Sequence, residues 1–133
     1  MQTAAILAGG RARRLDGRDK SRIVIGGRTI LARQIEALQR VVTRIVIVAN
    51  APEQFADAGV PVLADAVPGS GSLGGIYTAL ADAVGPVLIL ACDMPFVTAP
   101  FLARVIDAGR DVDVAIPRGH DGYQPLCANY APS

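Results

Sequence analysis

The sequence predicts an α/β protein, a three-layer α/β/α sandwich built on a mainly parallel sheet. Three observations lead there. Four runs, at 3–8, 44–49, 60–64 and 86–92, are continuously apolar instead of alternating, as strands covered by helices on both faces must be. Stretches with helical spacing separate them, which is the pattern of crossover connections between parallel strands. The first run also leads straight into Gly9-Gly10, a strand-to-loop junction of the kind that faces ligands in such folds.

Taken in order, the 3–8 strand is followed by the loop Gly9–Lys20 and a short stretch at 22–25, closed by Gly26-Gly27, that reads as a small excursion strand. Leu31, Ile35, Leu38 and Val42 recur at helical spacing and predict the first long helix. The 44–49 and 60–64 strands come next. A shorter helix is expected from about Leu73 to Ala83, followed by the 86–92 strand. Leu102, Val105 and Ile106 behind a Thr98 cap and Pro100 predict a third helix. A fifth strand at 112–116 and a sixth at 125–130 complete the sheet, with right-handed crossovers. No helix follows the last strand, so apolar surface near Leu126–Tyr130 is expected to lie open and to favour self-association.

All 133 residues read as a single domain, long enough for a proper core. The chain is 51% hydrophobic with a mean hydropathy of +0.37, which excludes a disordered chain. A net charge of +1 argues against a general nucleic-acid or membrane-surface binder. Its longest apolar stretch is too short to span a bilayer. Cys92 and Cys127 sit in apolar runs and no signal-peptide pattern opens the chain, so a reduced cytoplasmic protein is expected.

Charge is unevenly placed. Between Arg11 and Arg28 there are seven cations and two acids, a local charge of +5 on an otherwise acidic body. Two adjacent glycines let the backbone turn and present N–H groups to an anion, and Arg11, Arg13, Arg14, Arg18 and Lys20 add cations on the same loop. A polyphosphate suits such a place. The spacing is not that of a Walker loop, because no Gly-Lys-Ser/Thr follows the glycines. Lys20 is the only lysine among 13 basic residues, which hints at a chemical need for a compact ammonium.

Parallel sheets bind ligands at the carboxyl ends of their strands. Here the first strand delivers Leu7-Ala8-Gly9-Gly10, the second Asn50, the third Asp65 and the fourth Cys92-Asp93-Met94-Pro95. Asp93 ends an apolar strand and Pro95 stops its continuation, so its carboxylate suits a magnesium ion shared with phosphate oxygens. Asn50 and Asp65 also fit plain turn residues. Gly69-Ser70-Gly71-Ser72-Leu73-Gly74 matches G-x-G-x-x-G, but Asp65-Ala66-Val67-Pro68 separates it from its strand, so a dinucleotide site is set aside. It reads better as a loop reaching a helix N-terminus. His120 stands alone in a turn, and no zinc or hydrolase motif is present.

In this order, Leu7-Ala8-Gly9-Gly10, Ala12-Arg13-Arg14, Asp19-Lys20, Asn50, Asp65, Gly71-Ser72-Leu73-Gly74-Gly75, Cys92-Asp93-Met94-Pro95 and Gln124-Pro125-Leu126 resemble the MobA-like nucleotidyltransferase family, and within it the members that act on the molybdenum cofactor. The resemblance implies a Rossmann-like sheet of the nucleotide-diphospho-sugar transferase type. It implies transfer of GMP from GTP to the phosphate of molybdopterin, with release of pyrophosphate and with magnesium (Mg2+) as cofactor. Leu7, Ala8, Gly9 and Gly10 would then contact the nucleotide through the backbone, and Asn50 and Asp65 its guanosine side. Lys20 and Arg14 would hold phosphates, and Asp93 the metal. Gly74, Gln124 and Pro125 would belong to the acceptor side, and molybdoenzyme-maturation proteins would be natural partners. The chain departs from the family at Leu15-Asp16, where Met-Gly is common, and at Val48, where some members have asparagine. The family domain also extends further, so a C-terminally truncated domain is expected. Two alternatives stay open: a MobA-like transferase using CTP or a sugar-phosphate acceptor, and an inactive truncated nucleotide-binding module.

Overall fold

A computed structural model describes residues 2–8, 14–15, 18–19, 24–25, 28–50, 52–66, 71–92, 94, 97–110, 112–119, 122–123 and 127–131. Its main sheet has six strands: β1 (Thr3–Leu7), β2 (Arg44–Ala49), β3 (Val62–Ala64), β4 (Val87–Ala91), β5 (Val114–Ala115) and β6 (Cys127–Tyr130). Across the sheet the order is β3-β2-β1-β4-β6-β5. β1 pairs in parallel with β2 and β4, and β2 with β3. Only β6 runs against the rest, antiparallel to both β4 and β5. The sheet is therefore mainly parallel, as expected.

Among the described residues, three α-helices cover it: α1 (Ile30–Gln39), α2 (Gly71–Asp82) and α3 (Ala99–Ala108). Ala4, Ile6, Ile47, Leu88 and Leu90 point to one face and meet Leu31 and Leu38 of α1 with Leu102 and Val105 of α3. Ala5, Leu7, Val46, Val48, Val87 and Ile89 point to the other, where α2 contributes Ala79. Every residue of β1 and β4 is thus buried whichever way it points, which explains the unbroken apolar runs. Thr29 caps α1 through Ala32 N–H at 3.0 Å, and Thr98 caps α3 through Phe101 N–H at 3.3 Å, with Pro100 in the first turn.

Strand and helix ends differ from the sequence reading by small amounts. The third strand begins at Val62, because Pro61 has no N–H for the ladder, although its carbonyl still accepts from Ile47 N–H at 2.9 Å. β5 shrinks to two residues at the sheet edge. The first helix stops at Gln39, where the N–H groups of Val41 and Val42 both turn back to the Leu38 carbonyl. α2 starts two residues earlier than Leu73. Of the expected 22–25 strand, Val24–Ile25 pairs with Arg28–Thr29 as a small hairpin. Two further two-residue hairpins, Arg14–Leu15 with Arg18–Asp19 and Arg118–Gly119 with Gly122–Tyr123, were not expected. Neither was the 3-10 turn Pro52–Phe55, which buries Phe55.

One expectation is corrected. The last strand is not an open apolar surface: Cys127, Ala128 and Asn129 are all buried, because β6 lies between β4 and β5 and α3 crosses it. Leu126 lies outside the described residues. Exposed apolar side chains occur elsewhere, with Val112, Val114 and Ile116 around the edge strand and Leu73 and Tyr77 on α2. Both cysteines are buried, as expected, and no disulfide joins them. Among the described residues no helix is long and apolar enough to cross a membrane.

Candidate active site

Parallel pairing puts the carboxyl ends of β1 to β4 on one edge, and three backbone bonds tie those ends together. Ala8 N–H donates to the Val48 carbonyl at 2.8 Å, joining the end of β1 to that of β2. Cys92 N–H donates to the Leu7 carbonyl at 3.2 Å, joining β4 to β1. Asp65 N–H donates to the Ala49 carbonyl at 3.1 Å, joining β3 to β2. Leu7, Ala8, Asn50 and Asp65 are therefore neighbours along one rim, with Cys92 leading directly to Asp93 in the chain. Asn50 is exposed at this rim and Asp65 half-buried.

Several expected site residues lie outside the described residues: Gly9, Gly10, Lys20, Asp93, Gln124 and Pro125. Arg14 is in the Arg14–Leu15 strand, but its side chain falls outside as well. The rim thus brings together four of the expected nucleotide contacts, and the cation-rich segment 11–20 follows Ala8 in the chain.

Gly74 is buried in the first turn and a half of α2. Beside it, Gly75 lets the helix rest on the end of β1. A Cβ there would stand 3.1 Å from Leu7 Cδ2, tighter than ordinary packing allows without movement. The helix bearing Gly74 is in this way seated directly on Leu7. Four residues on, the Thr78 hydroxyl lies 2.9 Å from the Gly74 carbonyl and 3.2 Å from Asp65 Oδ1, and accepts from Ala66 N–H at 2.9 Å. One side chain therefore connects the β3 end to α2.

A second supporting group is Gln34 of α1, fully buried beneath the β4 end. Its Nε2 donates to the Ala91 carbonyl at 2.7 Å and to the Met94 carbonyl at 3.0 Å, on the two sides of position 93 in the chain. Its Oε1, together with Thr3 Oγ1, is a buried oxygen with no hydrogen bond among the described residues. Sequence reasoning passed over both Thr78 and Gln34. Their signal is a polar residue at a core-facing helix position: Gln34 sits between Leu31 and Leu38, and Thr78 next to Ala79.

Among the described residues no group of three or more His, Cys, Asp or Glu could hold a metal on its own. Asp65 stands at the rim, whereas Asp93, the expected magnesium ligand, follows Cys92 in the chain and lies outside the described residues.

Residues 4–132 match the MobA-like NTP transferase domain. A probable molybdenum cofactor guanylyltransferase of Clostridium perfringens is 35% identical over 99% of this chain, covering 67% of the relative. One from Pelotomaculum thermopropionicum is 37% identical over 97% of the chain and 63% of the relative. The crystal structure of molybdopterin-guanine dinucleotide biosynthesis protein A from Archaeoglobus fulgidus superposes with a TM-score of 0.77 at 28% identity, covering 97% of this chain and 67% of that one. The chain spans about two thirds of the length of these relatives. With a domain match over nearly its whole length and relatives above 30% identity, this chain belongs to the MobA-like NTP transferase family.

Proposed function

We propose that this chain carries nucleotidyl transfer in which GMP passes from GTP to the phosphate of a molybdopterin-type acceptor. An acceptor phosphate oxygen attacks the α-phosphorus of GTP. The bond from that phosphorus to the bridging oxygen of the β-phosphate breaks, and pyrophosphate leaves with the electron pair. No covalent enzyme intermediate is needed. The observation that carries the reading is the tied rim of four strand ends, which sets Leu7 and Ala8 beside Asn50 and Asp65. The names of the curated relatives favour guanine and the molybdenum cofactor.

The chain's task is to bring two anions together in line and hold them. Backbone N–H groups after β1 and the Lys20 ammonium would neutralise the triphosphate, with Arg14 as a second cation. Asp65 and Asn50 would orient the guanosine. Asp93 would hold magnesium, which supplies charge neutralisation between the phosphates when bound. Gly74, Gln124 and Pro125 would lie toward the acceptor.

Calorimetric titration with GTP, CTP and ATP, each with magnesium, tests the reading. Selective GTP binding supports it, and pyrophosphate release on adding molybdopterin completes the assignment. Tighter CTP binding replaces guanine with cytosine. No nucleotide binding by folded protein overturns it.

A further inference from the structure

The Thr78 hydroxyl is a junction of three groups. It is almost fully buried, on the sheet side of α2 next to Ala79, where an apolar side chain would pack as well. A hydroxyl in such a place is costly unless it is hydrogen-bonded. Here it accepts from Ala66 N–H at 2.9 Å, which consumes one lone pair. Its single proton faces two acceptors, the Gly74 carbonyl at 2.9 Å and Asp65 Oδ1 at 3.2 Å. The two are not equivalent. The Gly74 carbonyl already lies in the helical ladder of α2, where the N–H four residues on is its normal donor. A carboxylate gains more from a donor than a neutral carbonyl does.

Residue 65 is thereby held at several points. Its N–H bonds to Ala49 at 3.1 Å, its carboxylate faces Thr78, and the N–H of the next residue docks on the same hydroxyl. The chain leaving β3 is pinned to α2 through one oxygen atom. The same atom touches Gly74, which stands on the acceptor side of the proposed reaction.

We infer that Thr78 is a positioning residue whose hydroxyl orients the Asp65 carboxylate for the nucleoside and ties it to the helix bearing Gly74. This rests on the proposed role of Asp65 as a nucleoside contact. The threonine acts through the aspartate, and its removal costs binding only where the aspartate is used.

A double-mutant cycle read by calorimetry tests this, with guanosine and inorganic pyrophosphate as probes. Thr78→Val keeps the shape and removes the hydroxyl; it should weaken guanosine binding about tenfold and leave pyrophosphate binding unchanged. Thr78→Ser should bind guanosine like the unsubstituted protein. In an Asp65→Ala background, Thr78→Val should add no further loss. Should Thr78→Val fail to fold, Thr78→Cys, with its weak donor, takes its place in the cycle. The inference is overturned if the valine loss persists without Asp65, if serine does not restore binding, or if pyrophosphate binding falls equally. Loss with Asp65→Ala but none with Thr78→Val overturns the inference alone. No effect of Asp65→Ala on guanosine binding overturns the proposed role of Asp65 itself.

Discussion

The side-chain amide of Gln34 donates to the Ala91 carbonyl at 2.7 Å, joining the buried face of α1 to the last residue of β4 across 57 positions of sequence. The same nitrogen reaches the Met94 carbonyl at 3.0 Å, so one amide holds the strand end and a residue three positions further along the chain. Replacing it by Gln34→Leu leaves two carbonyls without this donor, at the cost of leaving buried polar groups unpaired. We expect a loss of about 2 kcal/mol in urea unfolding at constant m-value. An unchanged midpoint would mean that water or other groups replace the amide.

Gly109 closes α3 against β6. A Cβ at this position would overlap the Asn129 amide and come within 3.1 Å of its Cβ. Asn129 cannot easily yield, because its Oδ1 accepts from Gln2 Nε2 at 2.9 Å and its side chain is buried. Gly109→Ala should therefore destabilise by about 1–3 kcal/mol despite alanine's better helix propensity. Thermal unfolding checks this, and Asn129→Ala in the same chain should recover part of the loss by making room.

Burial pushes the Cys127 thiol up to about 11 from its ordinary 9.0, and raises the Tyr130 phenol in the same direction. Because the folded-state value lies above the unfolded one, the stability contribution is fully present below pH 9. It is lost as pH rises through 11, at no more than about 1.4 kcal/mol per pH unit from the thiol. Denaturant midpoints measured between pH 8 and 11 should fall over that window. Cys127→Ala should make the fall shallower, while lowering stability at pH 8 through the cavity it leaves.

Lys20→Ala separates phosphate from nucleoside recognition. If the ammonium holds the triphosphate, GTP affinity should fall about 10- to 100-fold, the loss of a charge-assisted bond. Guanosine affinity should stay within about twofold. Equal losses for the two ligands would remove Lys20 from the phosphate site.

Hydrophobic runs and their spacing determined the fold class, because a strand buried on both faces has no position left for a polar residue. That is why β1, β2 and β4 were legible nearly to the residue, and why the strand ends could be named as a rim. Helix caps at Thr98 and Pro100 were legible for a local reason, since capping involves only the first turn. Edges were less clear. β3 and β5 are shorter than their apolar runs, because pairing on an edge depends on one neighbour and on a proline without an N–H.

Tertiary structure alone decided which polar residues support the rim. Gln34 and Thr78 look like ordinary helix residues in sequence, and their partners lie 57 and 13 positions away. It also decided that β6 lies inside the sheet rather than at an open face, since strand order is set by crossovers that local patterns do not record. A sequence states which side chains avoid water; which carbonyl a buried amide meets depends on how the layers come to rest on one another.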